Sequence, residues 1–368
     1  MSSLSVGIVG LPNVGKSTLF NALLKKQVAL SANYPFATIE PNVGIVPVPD
    51  PRLDQLAHVI ATTESKGVLP PLVPATVSFV DIAGLVKGAS QGEGLGNQFL
   101  SHIREVAVIA HVLRAFSDED IIRAGAVSPK DDAIVIETEL QLADMATIEK
   151  QKQPKGASEK SVLLRWGVIE KLRYGLNSGI SARTILSSDE EREAVRDLQL
   201  LTAKPIMYIL NVDETVFEDE SVLVAKYAQE LGVSPENCLL ISAKIESELA
   251  GLSEQEQKEY LSALGLKEGG LERLIRLAYQ TLQLQSFLTA GEKEVRAWTI
   301  AVGATAVEAS GAIHTDFMKK FIRANIASLE DFIACGGWKG AREQGKMRQE
   351  GRDYVMQDGD VVEFLIGS

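Results

Sequence analysis

Cysteine is nearly absent: the 368 residues hold two, Cys238 and Cys335, far apart and in no CxxC pattern. Both are read as reduced thiols of a cytosolic protein rather than as a disulfide. Histidine is also scarce, and His58, His102, His111 and His314 lack the spacing of a metal site. No apolar run approaches the roughly 20 residues that cross a bilayer, so no membrane partner is expected. The N-terminus has no basic stretch leading into an apolar one and no cleavage site, so no signal peptide is expected. Positive charge is in deficit as well: 37 Lys and Arg face 49 Asp and Glu, a net charge of −12. The chain as a whole therefore does not attract nucleic acid, and any RNA contact needs a local basic face.

What is present is enough apolar residue, 45%, for a large buried core, and enough length for two or three domains. Residues 6–9, 43–48, 77–80, 106–113, 206–210 and 239–241 are short apolar runs, several continuous. Strands buried on both faces read this way, and helical stretches separate them. The expected class is α/β with a mostly parallel sheet. Residues from about 134 to 201 differ, being rich in Glu, Lys, Leu and Ala. Leu140, Met145, Ile148, Leu163, Leu164, Val168 and Leu172 mark apolar helix faces there, and Pro154-Lys155-Gly156 reads as a turn. Two covering helices would satisfy that pattern, but the run is longer than one crossover needs. An inserted helical hairpin is expected. Beyond residue 285 the runs 297–302, 353–355 and 361–366 look like strands, 314–323 like a helix, and Asp358-Gly359 like a tight turn. The expected partition is 1–284 and 285–368, the second part being a small α+β module.

Gly10-Leu11-Pro12-Asn13-Val14-Gly15-Lys16-Ser17 fits GxxxxGK[ST] between a strand and a helix. Such a loop wraps phosphates with its N–H groups, and the helix N-terminus adds its positive end. Asn13, Val14, Gly15, Lys16, Ser17 and Thr18 are the expected cradle. Lys16 would charge-pair with the β- and γ-phosphates, and Ser17 would bind Mg²⁺. The Asn13 amide either joins a monovalent-cation site suited to K⁺ or stabilises the turn. Asp81-Ile82-Ala83-Gly84 fits DxxG, with Asp81 holding Mg²⁺ through water and the Gly84 N–H sensing the γ-phosphate. Thr38 is the natural second hydroxyl for Mg²⁺. Lys16, Thr38 and Gly84 are thus the expected catalytic set. Leu85 stands where small GTPases carry a water-orienting glutamine, and leucine can hold no water, so slow intrinsic hydrolysis is expected.

GTPases read their base with Asn-Lys-x-Asp; here the late strand ends in Asn211-Val212-Asp213-Glu214. The guanine-reading aspartate is replaced by Glu214 and the lysine along the base by Val212. Asn211 can bond N6 and N7 of adenine, and the Val212 backbone can complete the contact. Ser242 and Ala243, in Ser242-Ala243-Lys244, form the loop under the base. A carboxylate facing adenine N1 would oppose two acceptors, a cost when buried.

Together these motifs resemble the Obg-like ATPases of the YchF family. The likeness also rests on Asn33-Tyr34-Pro35-Phe36-Ala37-Thr38-Ile39-Glu40-Pro41-Asn42, Gly94-Leu95-Gly96-Asn97, Arg296-Ala297-Trp298-Thr299 and Gly311-Ala312-Ile313-His314-Thr315-Asp316-Phe317. It runs nearly end to end. It implies a P-loop G domain, a helical arm and a C-terminal ubiquitin-like TGS domain. It implies ATP hydrolysis preferred over GTP, and binding to the ribosome, its large subunit or the whole, and to its RNA. A monomer is expected. Some relatives carry a histidine thought to assist hydrolysis; Arg123 stands at that place here, so no catalytic histidine is carried over. Two rival readings stay open: a nucleotide-gated scaffold with incidental hydrolysis, and a GTPase. The basic surface expected to face RNA is Lys319, Lys320, Arg323, Lys339, Arg342, Lys346 and Arg348.

Overall fold

The computed structural model describes residues 4–31, 42–65, 67–82, 95–116, 128–156, 159–214 and 217–367. Along the chain run β1 (Ser5–Val9), α1 (Lys16–Ser31), β2 (Val43–Pro47), α2 (Arg52–Thr63), β3 (Leu72–Val73), β4 (Thr76–Asp81), α3 (Leu95–Glu105) and β5 (Val108–Arg114). Then come α4 (Pro129–Glu149), α5 (Lys160–Asn177), α6 (Ala182–Ile185), α7 (Asp189–Ala194), β6 (Ile206–Asn211), α8 (Glu220–Leu231) and β7 (Cys238–Ile241). The rest is α9 (Ala243–Leu249), α10 (Glu254–Ala263), α11 (Gly270–Thr281), β8 (Leu284–Ala290), β9 (Val295–Ala301), α12 (Ala306–Ile313), α13 (Thr315–Lys320), β10 (Phe321–Ala327), α14 (Leu329–Ala334), α15 (Trp338–Glu343), β11 (Arg348–Glu350) and β12 (Val361–Ile366).

The first compact unit comprises Met1–Val46 and Ser78–Leu274. Its sheet has the order β2-β4-β1-β5-β6-β7, and β4, β1, β5, β6 and β7 are parallel. All residues of β1 and β7 are buried, which is why these runs are apolar without alternation. The helical hairpin is inserted between β5 and β6. Ser128 caps α4 by accepting from the Asp131 N–H, Pro129 opens the helix, and Asp131 and Asp132 favour its positive end. Ile148 of α4 packs with Val168, Leu172 and Leu176 of α5 and with Leu186, Leu198 and Leu200. The expected apolar face needs one correction: Leu163 and Leu164, in the first turn of α5, are 56% and 38% exposed. Helical spacing put them on a face that packing reaches only further along α5.

Asp144 of α4 anchors the hairpin to the approach to β6. It is fully buried and accepts from the Leu201 N–H at 2.7 Å, the Thr202 N–H at 2.8 Å and the Thr202 hydroxyl at 2.7 Å. Burial raises its pKa above the usual carboxylate range, and the Thr202 and Leu201 hydrogen bonds oppose that rise. Asp144→Ala would strand two buried backbone donors. It is expected to cost about 3 kcal/mol in urea unfolding. A loss below about 1 kcal/mol would mean these donors find other partners.

The second unit joins Pro47–Val77 to Ile275–Ser368. A boundary at residue 284 did not anticipate this, because the segment belongs by tertiary contact alone. Arg52 explains the attachment: it holds Asp50 at 2.7 Å and Asp358 at 2.8 Å. β3 also pairs with β9, placing Leu72 beside Val295. The sheet order is β11-β10-β12-β8-β9-β3, a mixed sheet over a core of Phe287, Phe321, Ile326 and Val362. Two expectations are corrected here. The helix ends at Lys320, and Arg323 lies in β10, because pairing with β12 buries Phe321, Ala324 and Ile326. Residues 353–355 form no strand; Val355 makes only an isolated bridge to Thr305. The Asp358-Gly359 turn is present, with Gly359 at φ +84° and the Asp360 N–H donating to the Gln357 carbonyl at 3.2 Å.

Candidate nucleotide site

The loop from Gly10 to Ser17 leaves the C-terminal end of β1, where the order of connection reverses between β4 and β5. Ligands of open α/β sheets bind at such a point. Gly10 is required by space, since a Cβ there would meet the Val112 carbonyl oxygen at 2.5 Å. Gly15 is required twice over: its φ is +99°, and a Cβ would collide with the Asn211 amide. Asn13 adopts φ +63°, a left-handed conformation that asparagine tolerates. That geometry favours its turn-forming role. Ser17 and Thr18 are exposed in the first turn of α1, where N–H groups have no acceptor within the helix.

Lys16 is 8% exposed, and its Nζ donates to the Leu11 carbonyl at 2.7 Å. Burial lowers its pKa, and the Asp81 carboxylate opposes that fall. Asp81 ends β4; burial raises its pKa and Lys16 opposes the rise. The two expected phosphate and metal groups thus feel each other's charge. His111 of β5 is buried nearby, its pKa pushed down to about 3 by burial, then by Lys16 and Arg183. Sequence spacing gave no sign of this neutral histidine, which is reached only through the sheet register.

The base side is held by Asn211. Its Nδ2 donates to the Val14 carbonyl at 3.0 Å, and its Oδ1 accepts the Ala243 N–H at 3.0 Å. It therefore braces the phosphate loop against the loop under the base, and one amide hydrogen is left for a ring acceptor such as N7. The Val212 N–H donates to the Ile241 carbonyl at 2.9 Å, so only its carbonyl can complete a base contact, a narrower role than its sequence position suggested. Val212 is 4% exposed. Ser242 caps α9 through the Ile245 N–H, and Ala243 is buried. Glu214 is ion-paired with Lys244. Sequence reasoning missed that pair, although both residues flank the base in the two motifs already recognised.

Thus Asn13, Val14, Gly15, Lys16, Ser17, Thr18, Asp81, Asn211, Val212, Glu214, Ser242 and Ala243 line the C-terminal edge of one sheet. Thr38, Gly84, Leu85 and Arg123 lie outside the described residues. Among the described residues no group of three or more His, Cys, Asp or Glu could hold a metal ion, and no helix is long and apolar enough to cross a membrane.

Comparisons with known proteins place the chain in a family. Residues 5–154 match the family described as "50S ribosome-binding GTPase", and residues 284–367 match the C-terminal YchF GTPase model, described as "Protein of unknown function (DUF933)". The chain is 51% identical to the Ribosome-binding ATPase YchF of Escherichia coli O157:H7, covering 98% of both chains. It is 47% identical to the protein of that name from Bacillus subtilis, over 98% of this chain and 99% of the relative. The structure of the Schizosaccharomyces pombe YchF GTPase superposes with a TM-score of 0.85 at 36% identity, covering 99% of this chain and 98% of that one. At 51% identity over 98% of its length to one relative, and at a TM-score of 0.85 over 99% of its length to a solved member, the chain belongs to the YchF family.

Proposed function

We propose that this protein is a ribosome-associated, cytoplasmic ATPase that binds Mg²⁺-ATP, hydrolyses it slowly and works as a nucleotide-dependent switch. The observation that carries the nucleotide choice is the Glu214–Lys244 ion pair beside the Asn211 brace. Lys244 draws the carboxylate to itself, so Glu214 is not offered to guanine's N1–H and 2-amino group. Adenine then escapes the opposed acceptors that a bare carboxylate would present. The relatives' names divide between ATPase and GTPase, and the base site favours ATP.

Ser17 and Thr38 would supply hydroxyl oxygens to Mg²⁺, and Asp81 would hold one of its bound waters. Asp81 is partly buried, and its raised pKa records a desolvation cost that a cation lifts. When bound, Mg²⁺ neutralises charge on the β- and γ-phosphates. Lys16 would add its charge to the same phosphates, and the Gly84 N–H would sense the γ-phosphate. K⁺ near Asn13 would assist where Leu85 cannot hold water; equal rates in K⁺ and Na⁺ salts at matched ionic strength would remove that element. Lys319, Lys320, Arg323, Lys339 and Arg342 are exposed and face RNA in this reading. Lys346 contributes less, being paired with Asp331 at 3.1 Å.

Calorimetric competition tests the base site. Wild type should bind ATP at least as tightly as GTP. Glu214→Asp should narrow the preference by about tenfold, since the shorter carboxylate leaves Lys244 and faces the base. This single change is cleaner than adding Val212→Lys, which would bury a charge. Tighter binding of GTP than ATP by wild type would overturn the assignment.

A further inference from the structure

A second concave site lies at the opposite edge of the same sheet. It encloses about 650 Å³, within the roughly 300–1,000 Å³ typical of small-molecule sites. Ala107 and Pro205, which immediately precede β5 and β6, form part of its wall, so it sits under the N-terminal ends of strands whose C-terminal ends carry the nucleotide site. The helical insertion supplies most of the rest. Its lining holds five cationic side chains, Arg104, Arg183, Arg192, Arg196 and Lys204, against two carboxylates, Glu193 and Asp197. An excess of three positive charges in one cavity runs against the chain's net charge of −12.

The pairing inside the cavity matters more than the count. Asp197 is held by Arg165 at 2.9 Å, which spends its charge outside the lining set. Lys204 donates to the carbonyls of Arg104, at 3.0 Å, and of Val106. Arg104 donates to the Gln199 carbonyl at 3.0 Å. Among the described residues neither has a carboxylate within ion-pair distance. Burial and the Arg104 charge lower the Lys204 pKa, and the buried Asp144 carboxylate opposes that fall only in part. Arg183 pairs with Glu137 at 2.9 Å, but its Nη2 is shielded from solvent and has no hydrogen-bond partner among the described residues. Arg192 and Arg196 are 53% and 75% exposed; their ion pairs, with Asp189 and Glu193, are surface contacts weak enough to exchange for a ligand, and Arg192 is held at the cavity by donating to the Leu186 carbonyl at 3.0 Å.

We propose that this cavity binds a compact polyphosphate ligand carrying about four negative charges, matched by Arg104 and Lys204 within and Arg192 and Arg196 at the mouth. Guanidinium groups match phosphate oxygens in pairs, and lysine adds a point charge. RNA fits less well: a backbone passing over the mouth reaches Arg192 and Arg196 and leaves the half-buried Arg104 and Lys204 unmatched.

The test is equilibrium dialysis of radiolabelled inorganic tripolyphosphate against the full chain carrying Lys16→Ala, which weakens the phosphate loop as a rival site without adding a competing phosphate. The expected result is one tripolyphosphate retained per chain, with affinity at least tenfold weaker in Arg192→Ala/Arg196→Ala and weakening further with added salt. ATP turnover, with Lys16 intact, should be unchanged in that double variant, and Arg192→Lys/Arg196→Lys should recover part of the affinity. No retention, or equal retention with and without the Arg192→Ala/Arg196→Ala changes, would overturn the proposal. Retention of a short single-stranded RNA through Arg192 and Arg196, without tripolyphosphate binding, would overturn it in favour of RNA.

Discussion

Lys16→Ala is expected to lower ATP turnover by at least about 100-fold, the usual loss when one preorganised charge on a reacting phosphate is removed. The side chain is buried and already folded over its own loop, with Nζ on the Leu11 carbonyl at 2.7 Å. In the proposed site a γ-phosphate oxygen would take the place of that carbonyl as the partner of Nζ. The substitution also removes the charge that opposes the rise of the Asp81 pKa. Asp81 would then hold its proton to higher pH, so Mg²⁺ affinity should fall earlier in the variant than in wild type as pH is lowered. Single-turnover hydrolysis at several pH values reads both effects. Wild-type turnover in Lys16→Ala would exclude Lys16 from the site.

The second large effect belongs to Asn211. Alanine there leaves the Val14 carbonyl and the Ala243 N–H without their partner in a buried place. Two such groups cost about 2–4 kcal/mol together. The phosphate loop and the loop under the base would also lose their connection, and ATP affinity should fall more than about tenfold. Asn211→Asp is expected to rescue only the Ala243 side, since a carboxylate facing the Val14 carbonyl opposes two acceptors. Urea unfolding and calorimetry check the two parts. If the unfolding midpoint and ATP affinity both stayed at wild-type values, Asn211 would not be the brace described here.

Much of this architecture could be read from residue type alone. β1, β5, β6 and β7 were legible because strands buried on both faces must be apolar throughout. The phosphate loop was legible because only glycine fits at Gly10 and Gly15, so the motif is a steric requirement. The hairpin was legible from its length and composition. What escaped depends on partners distant in sequence. Arg52 and Asp358 stand 306 positions apart, and nothing local to Pro47–Val77 announces that it joins the C-terminal unit. Arg323 continued a helical charge pattern until pairing with β12 claimed it for a strand. Leu163 and Leu164 kept helical spacing but lie beyond the reach of the core. The Glu214–Lys244 pair joins two loops that periodicity treats separately, and the basic cavity gathers Arg104 with residues about 80–100 positions later.

Leu85 has no donor or acceptor, so the group that positions the attacking water is expected to come from outside the phosphate loop. Slow turnover by the isolated protein, raised by the ribosome, follows from that assignment and from membership of a ribosome-binding family. ATP turnover measured across a titration of purified ribosomes, in K⁺ buffer, tests both at once. The expected result is a slow basal rate that climbs and saturates as ribosomes are added, and that disappears in Lys16→Ala. A rate that is fast without ribosomes, or flat across the titration, would contradict it.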